Sequence, residues 1–364
     1  MIYLDHGATS MGKPPEVAEA MRRALRICGN PGRGGHRPSM EAAATVYRTR
    51  ELAASFFGAA EEQVVFTGSC THGLNIAIRS LIKPGSTVVI SGFEHNAVTR
   101  PLTALGAKLR VAGRKLFDWT DTLREFEAAL REGADAAVFT HVSNVFGYIL
   151  PVEAMAHLCK AYRVPFILDA AQSAGMLPVR LDQLGAAFIA MPGHKGLLGP
   201  QGTGILLCNA RPQPLLYGGT GSHSISQVMP EQLPEALEAG TLNVPGIAGL
   251  GAGIRWLRKQ DQSCLAARQK REVEACAKGL QALGYRVFAG AHQASTVSFV
   301  PPGDCEELAA YLNSRGIAVR AGLHCAPLAH ESAGTLETGT VRISFGHEPK
   351  PRHTAQLLHT LQNQ

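Results

Sequence analysis

Short, nearly unbroken apolar runs recur along the first two thirds of the chain, at 64–66, 87–91, 108–111, 135–140, 165–168, 187–191 and 203–208. Their length and β-branched content predict strands, and stretches with helical periodicity lie between most of them, for example 40–57, 121–131 and 152–162. That alternation predicts an α/β architecture with a mostly parallel sheet flanked by helices. From about Gly246 the rhythm changes to two longer helical patterns, 248–258 and 264–283, followed by strand-like 285–288, 296–300, 317–320 and 341–345 and a short final helix. The expected division is a large domain, 15–247, and a smaller α+β domain made of 1–14 and 248–364. No internal repeat or low-complexity segment interrupts it.

Composition narrows the class. A chain of 364 residues, 45% hydrophobic, can bury a large core. The formal charge of +6 comes from scattered Lys and Arg with few aromatics among them, which argues against nucleic acid and suits an enzyme that attracts phosphate, carboxylate or an acidic surface. The eight cysteines (28, 70, 159, 208, 264, 276, 305, 325) form no CxxC, so thiols are expected rather than disulfides or a metal site. The first ten residues lack a signal-peptide pattern, and no stretch approaches about 18 apolar residues. The expected location is cytoplasmic, without membrane association.

Candidate chemistry collects at predicted strand ends, where open α/β sheets bind ligands. Lys195 follows one such strand in a Gly- and Pro-rich loop. An amine desolvated there can condense with an aldehyde such as that of pyridoxal 5'-phosphate (PLP); a solvated loop lysine is the plain alternative. Thr67-Gly-Ser-Cys-Thr71 opens a helix at 71–73, fit for a phosphate or simply an N-cap. His95, in Glu94-His95-Asn96, can lie flat on an aromatic cofactor, though a lone histidine is more often structural. His141-Val-Ser-Asn144 and Asp169-Ala-Ala-Gln172 close two further strands. A buried Asp169 needs a partner, and a protonated pyridine nitrogen is one; a helix cap is another.

Taken in order, these motifs resemble the class V aminotransferase-like branch of fold-type I PLP enzymes, and within it the cysteine desulfurase and selenocysteine lyase family. The resemblance also rests on Tyr3-Leu-Asp-His-Gly-Ala-Thr9, Asn30-Pro-Gly-Arg33-Gly-Gly-His36, Gly193-His-Lys195 and Glu238-Ala-Gly-Thr-Leu-Asn243. Arg320-Ala-Gly-Leu-His-Cys-Ala326 and Val341-Arg-Ile-Ser344 complete it. It implies that Lys195 holds PLP, Asp169 binds the pyridinium proton, His95 stacks on the ring, and Asn144 and Gln172 contact the ring hydroxyl. It implies Cys70, Thr71 and His194 around the phosphate, with Thr241 reaching the phosphate of the neighbouring subunit of a homodimer. Arg342 would grip the substrate carboxylate, for which a bidentate guanidinium is suited, beside Gly7, Ala8 and His324.

Cys325 selects the reaction. Its loop is expected to be exposed, with Arg320 and His324 favouring thiolate. The implied activity converts L-cysteine to L-alanine, with sulfur passing to Cys325 as a persulfide and then to a reductant or acceptor protein. Selenocysteine lyase, another class V aminotransferase or C–S lyase, and a non-catalytic sulfur-transfer scaffold are the alternatives. The chain departs from the family pattern at Pro192, at Cys70-Thr71-His72, at His6 and Leu323, and after Arg342 in 345–350.

Overall fold

A computed structural model describes residues 1–32, 34–221 and 225–364. The seven runs predicted as strands form one sheet, in the spatial order Val64–Thr67, Gly204–Cys208, Phe188–Pro192, Phe166–Asp169, Ala136–Thr140, Thr87–Ser91, Lys108–Ala112. Gly204–Cys208 runs antiparallel to both neighbours, and every other adjacent pair is parallel. Six strands therefore point one way and share one carboxyl-end edge. Strands such as Ala136–Thr140 and Phe188–Pro192 are buried along their whole length, which is why they read as continuous apolar runs.

Two cores cover the two faces of this sheet. One gathers Phe57, Phe126, Phe139 and Leu207; the other gathers Leu74, Ile78, Ile90 and Phe188. Helix Val244–Arg258 carries glycines where neighbours come close. At Gly253 a Cβ would lie 2.3 Å from the Leu197 carbonyl oxygen, so only glycine seats this helix against the loop after Lys195.

A four-stranded antiparallel sheet, in the order Arg320–Gly322, Thr340–Ser344, Thr296–Val300, Arg286–Phe288, packs on a third core with Leu4, Leu280, Phe299 and Leu357. The run expected as one strand at 317–320 is divided. Ile317–Ala318 pairs in parallel with Ile2–Tyr3, and Arg320–Gly322 joins the four-stranded sheet. Apolar pattern records that a segment is extended and does not record a change of partner. From Ile2–Tyr3 the chain continues as a strap: the Ser344 N–H bonds the Leu4 carbonyl at 2.7 Å, and the Ser10 N–H bonds the His194 carbonyl at 3.0 Å. Among the described residues no helix is long and apolar enough to cross a membrane.

Candidate active site

Asp169 is the last residue of strand Phe166–Asp169 and is 2% exposed. Its Oδ1 accepts from the Ala171 N–H at 2.8 Å and from the Cys70 thiol at 3.5 Å, while among the described residues no hydrogen bond reaches Oδ2. A carboxylate so placed is stabilised by any cation that arrives at the open oxygen. Lys195 comes from the neighbouring strand end, after Phe188–Pro192. The Gly193 N–H bonds the Thr203 carbonyl at 2.8 Å, and the Leu198 N–H bonds the Lys195 carbonyl at 3.0 Å, which fixes the turn. Burial pushes the Lys195 amine below its ordinary range and Arg342 adds repulsion, with Cys70 and Asp169 opposing. The amine is thereby made nucleophilic.

Helix Cys70–Leu81 begins between strand Val64–Thr67 and this pair. Ser69 caps it, its hydroxyl accepting from the His72 N–H at 3.1 Å, and Thr71 is exposed in the first turn. His72 Nδ1 accepts from the Gly68 N–H at 3.3 Å. The N–H groups of this turn favour an anion.

His95 caps helix Asn96–Ala104: its Nδ1 accepts from the Ala97 N–H at 2.9 Å, so the ring proton sits on Nε2. Burial lowers its pKa, with Asp169 acting the other way. Beside it, Glu94 is fully buried. Its Oε1 accepts from the Thr140 N–H at 2.9 Å and from the Ser91 hydroxyl, and Oε2 has no partner. Burial pushes the Glu94 carboxyl up to about 8, so it is mostly neutral at pH 7.

The cysteine loop meets these strand ends through its backbone. The Asn96 N–H bonds the Cys325 carbonyl at 2.8 Å, and Asn144 Nδ2 bonds the His324 carbonyl at 2.8 Å. His324 and Cys325 have φ of 50° and 57°, the left-handed region, which non-glycine residues occupy only when neighbours hold them there. Cys325 is exposed. Arg342, 2% exposed, donates to the Asn144 carbonyl at 2.9 Å and to Asp5 Oδ1 at 2.7 Å, and its Nε has no partner. The Gly7 N–H bonds Ser344 Oγ at 2.7 Å, and a Cβ on Gly7 would stand 3.3 Å from the Arg342 guanidinium carbon. Gln172 Nε2 donates to the Gly7 carbonyl at 3.0 Å, and the Ala8 N–H bonds the Asp5 carbonyl at 3.1 Å.

One expected role needs correction, the cationic support for Cys325. His324 is buried, its Nε2 lies 3.1 Å from both Thr340 oxygens, and burial holds its pKa near about 2, so it is neutral. Arg320 pairs with Asp5 at 3.3 Å. The expected cationic support for a Cys325 thiolate is therefore absent from His324 and shared with Asp5 at Arg320. His194 sets Nδ1 3.0 Å from Thr9 Oγ1, and burial pushes it down to about 4, so toward a phosphate it would act as a neutral hydrogen-bonding group. The Cys70 side chain is turned to Asp169, and burial raises its thiol well above the usual value. Thr241 lines a separate cavity of about 670 Å³ with Tyr47, Arg50 and Glu238. Arg33 of the 30–36 motif lies outside the described residues.

Residues 2–352 match the aminotransferase class-V family. The chain belongs to that family. It is 32% identical over 363 residues to a probable cysteine desulfurase of Pyrococcus abyssi, covering 95% of this chain and 89% of that one. A probable cysteine desulfurase of Methanothermobacter thermautotrophicus is 30% identical over 374 residues, covering 98% and 92%. Among solved structures, an apo cysteine desulfurase from Thermococcus onnurineus superposes with a TM-score of 0.90 at 32% identity, covering 100% of this chain and 94% of that one. One from Escherichia coli gives 0.86 at 26% identity, covering 99% and 94%.

Within this class-V site, three residues to which the sequence reading gave no role make structural contacts. Asp5 bridges Arg342 and Arg320, Ser344 Oγ anchors Gly7, and Glu94 joins Thr140 to Ser91. All three lie inside motifs already noted. Their roles depend on burial and, for Asp5 and Ser344, on partners 337 residues away, for which one sequence carries no signal.

Proposed function

We propose that the chain is a PLP-dependent cysteine desulfurase that converts L-cysteine to L-alanine and takes the sulfur onto Cys325. The observation that carries this reading is Cys325 itself: an exposed thiol on a strained loop, backbone-bonded to Asn96 at the start of the helix that His95 caps. A transaminase of the same fold would have no use for it.

The residues present fit PLP. Asp169 Oδ2 is open to a protonated ring nitrogen, the first turn at Cys70 and Thr71 suits a phosphate, and Lys195 is a nucleophilic amine. When bound, PLP supplies an electron sink for the charge that develops at the substrate Cα. The chain's residues do the rest. Arg342 binds the substrate carboxylate, with Asp5 yielding part of its contact and remaining paired to Arg320. Lys195 Nζ takes the Cα proton and returns one. Cys325 Sγ attacks the substrate sulfur: an S–S bond forms, the S–Cβ bond breaks, and its electron pair stays on carbon, which is protonated. Cys325 is left as a persulfide and alanine departs. His95, with its proton on Nε2, can serve the sulfur or the ring.

Thr241 lies exposed and in a cavity other than that of its own Lys195, which supports a homodimer in which it completes the partner's phosphate site. The two-domain division at 15–247 and a cytoplasmic setting belong to the same reading.

The test is alanine and sulfide released from L-cysteine plus a thiol reductant by the PLP-loaded protein and by Cys325→Ser. Both products from the unmodified protein and neither from the variant are expected. Undiminished alanine from Cys325→Ser would sink the proposal in favour of a lyase that needs no acceptor thiol.

A further inference from the structure

A groove of about 390 Å³ runs between helices Cys70–Leu81 and Asn96–Ala104, with Cys325 at its border. Its charged lining is Arg79 and Arg100, and among the described residues no carboxylate lines it. Both arginines are exposed and, among the described residues, neither has an ion pair or side-chain hydrogen bond. Elsewhere on the surface Arg110, Arg114, Arg131, Arg180 and Arg211 each reach a carboxylate. Two unmatched guanidiniums around one concave space set up a field that concentrates anions.

That charge is not needed for a phosphate at the helix start. Arg79 follows Thr71 by eight residues, roughly 12 Å along a helix axis, so the two address different ends of the groove. The backbone of Cys325 is tied to the groove, its carbonyl accepting from the first N–H of helix Asn96–Ala104 at 2.8 Å. The volume is that of a small-molecule site.

We propose that this groove binds the thiol that discharges Cys325, and that this thiol is a small molecule bearing carboxylate. The inference rests on the desulfurase reading. In the step it describes, the acceptor thiol loses its proton to solvent and its sulfur attacks the outer sulfur of the Cys325 persulfide. The bond from that outer sulfur to Cys325 Sγ breaks, its electron pair leaves on Sγ, and Cys325 returns as thiolate while the acceptor carries the persulfide away. A second thiol of the same kind then releases sulfide and forms the disulfide.

The experiment loads PLP-bound protein with sulfur from L-cysteine, removes the amino acid, and measures discharge by 3-mercaptopropionate, 2-mercaptoethanol and cysteamine at equal thiolate concentration and low salt. The anionic thiol is expected to act about fivefold faster than the neutral one and the cationic thiol slowest, the order fading as salt is raised. R79Q/R100Q is expected to abolish the order while alanine release with dithiothreitol stays within about twofold. Equal rates for the three thiols, or an order that survives in R79Q/R100Q, overturns the groove assignment. No alanine with dithiothreitol from the unmodified protein overturns the desulfurase reading, and this inference falls with it.

Discussion

Lys195 and Cys325 are both nucleophile candidates, and they are set in opposite surroundings. Lys195 owes its reactivity to desolvation, Cys325 to access. Lys195→Ala is expected to cut alanine release by at least about a thousandfold and leave the thermal transition nearly unmoved, since the shortened side chain relieves a desolvated amine. Activity and circular-dichroism melts together check this. Glu94 gives a finer test. Because its carboxyl is mostly neutral and accepts two hydrogen bonds, Glu94→Gln keeps the shape without a charge and is expected to cost less than about 1 kcal/mol, whereas Glu94→Ala strands the Thr140 N–H and costs roughly 2 kcal/mol. Urea unfolding of the two variants distinguishes them. Lys195 and Asp169 stood out in the sequence as strand-end candidates, each with a plain alternative, and Cys325 stood out through its Gly- and Pro-flanked loop and the family resemblance. The neutrality of His324 and the clasp of Asp5 on Arg342 did not, because both follow from burial and from which strand lies alongside.

At the scale of elements, legibility followed burial. Strands of the large sheet were placed to within a residue or so; the inner ones, such as Ala136–Thr140 and Phe188–Pro192, are apolar on both faces and bounded by turn residues. The segment at 317–320 was not so placed, since its two halves serve different sheets. Close helix packing also leaves only a faint sequence trace, a glycine in a helix, yet it is decisive at Gly253. Gly253→Ala would drive a methyl group into the Leu197 carbonyl, and the expected loss is roughly 1–3 kcal/mol together with displacement of the Lys195 loop. A lowered urea midpoint, with reduced PLP absorbance at equal added cofactor, is the expected outcome. A second joint is the buried pair of Arg50 and Glu238, which ties helix Arg37–Phe57 to the segment carrying Thr241 through bonds of 2.8 and 2.9 Å. Glu238→Gln leaves that guanidinium buried without its counter-charge, and the expected cost is about 3 kcal/mol or more by the same measurement.

For the whole molecule, histidines set the response to acid. Burial pushes His6, His141, His194 and His330 down to about 4 and His324 to about 2, against about 6.5 in an unfolded chain. Between those values the unfolded state binds more protons, so stability falls as pH drops from 6.5 toward 4. His141, almost wholly buried, corresponds alone to roughly 3 kcal/mol. Glu94 has the opposite sign: raised to about 8 in the folded protein, it costs stability as pH climbs from 4.5 to 8. Five imidazoles against one carboxyl place the maximum above pH 6.5, at about pH 7, with a steep acid side and a nearly flat alkaline one toward pH 8. Urea midpoints at pH 5, 6.5 and 8 check the order.

The strap of residues 2–10 gives the site a history as well as a shape. The residues proposed to hold PLP within one subunit, from Cys70 to Lys195, lie on one continuous stretch, whereas Asp5 and Arg342 meet across 337 residues. On the ribosome the cofactor end can therefore be assembled while the carboxylate grip is still missing half its parts. On the proposed reading, a nascent chain at that stage would have its cofactor residues in place but no Arg342 with which to recognise an amino acid.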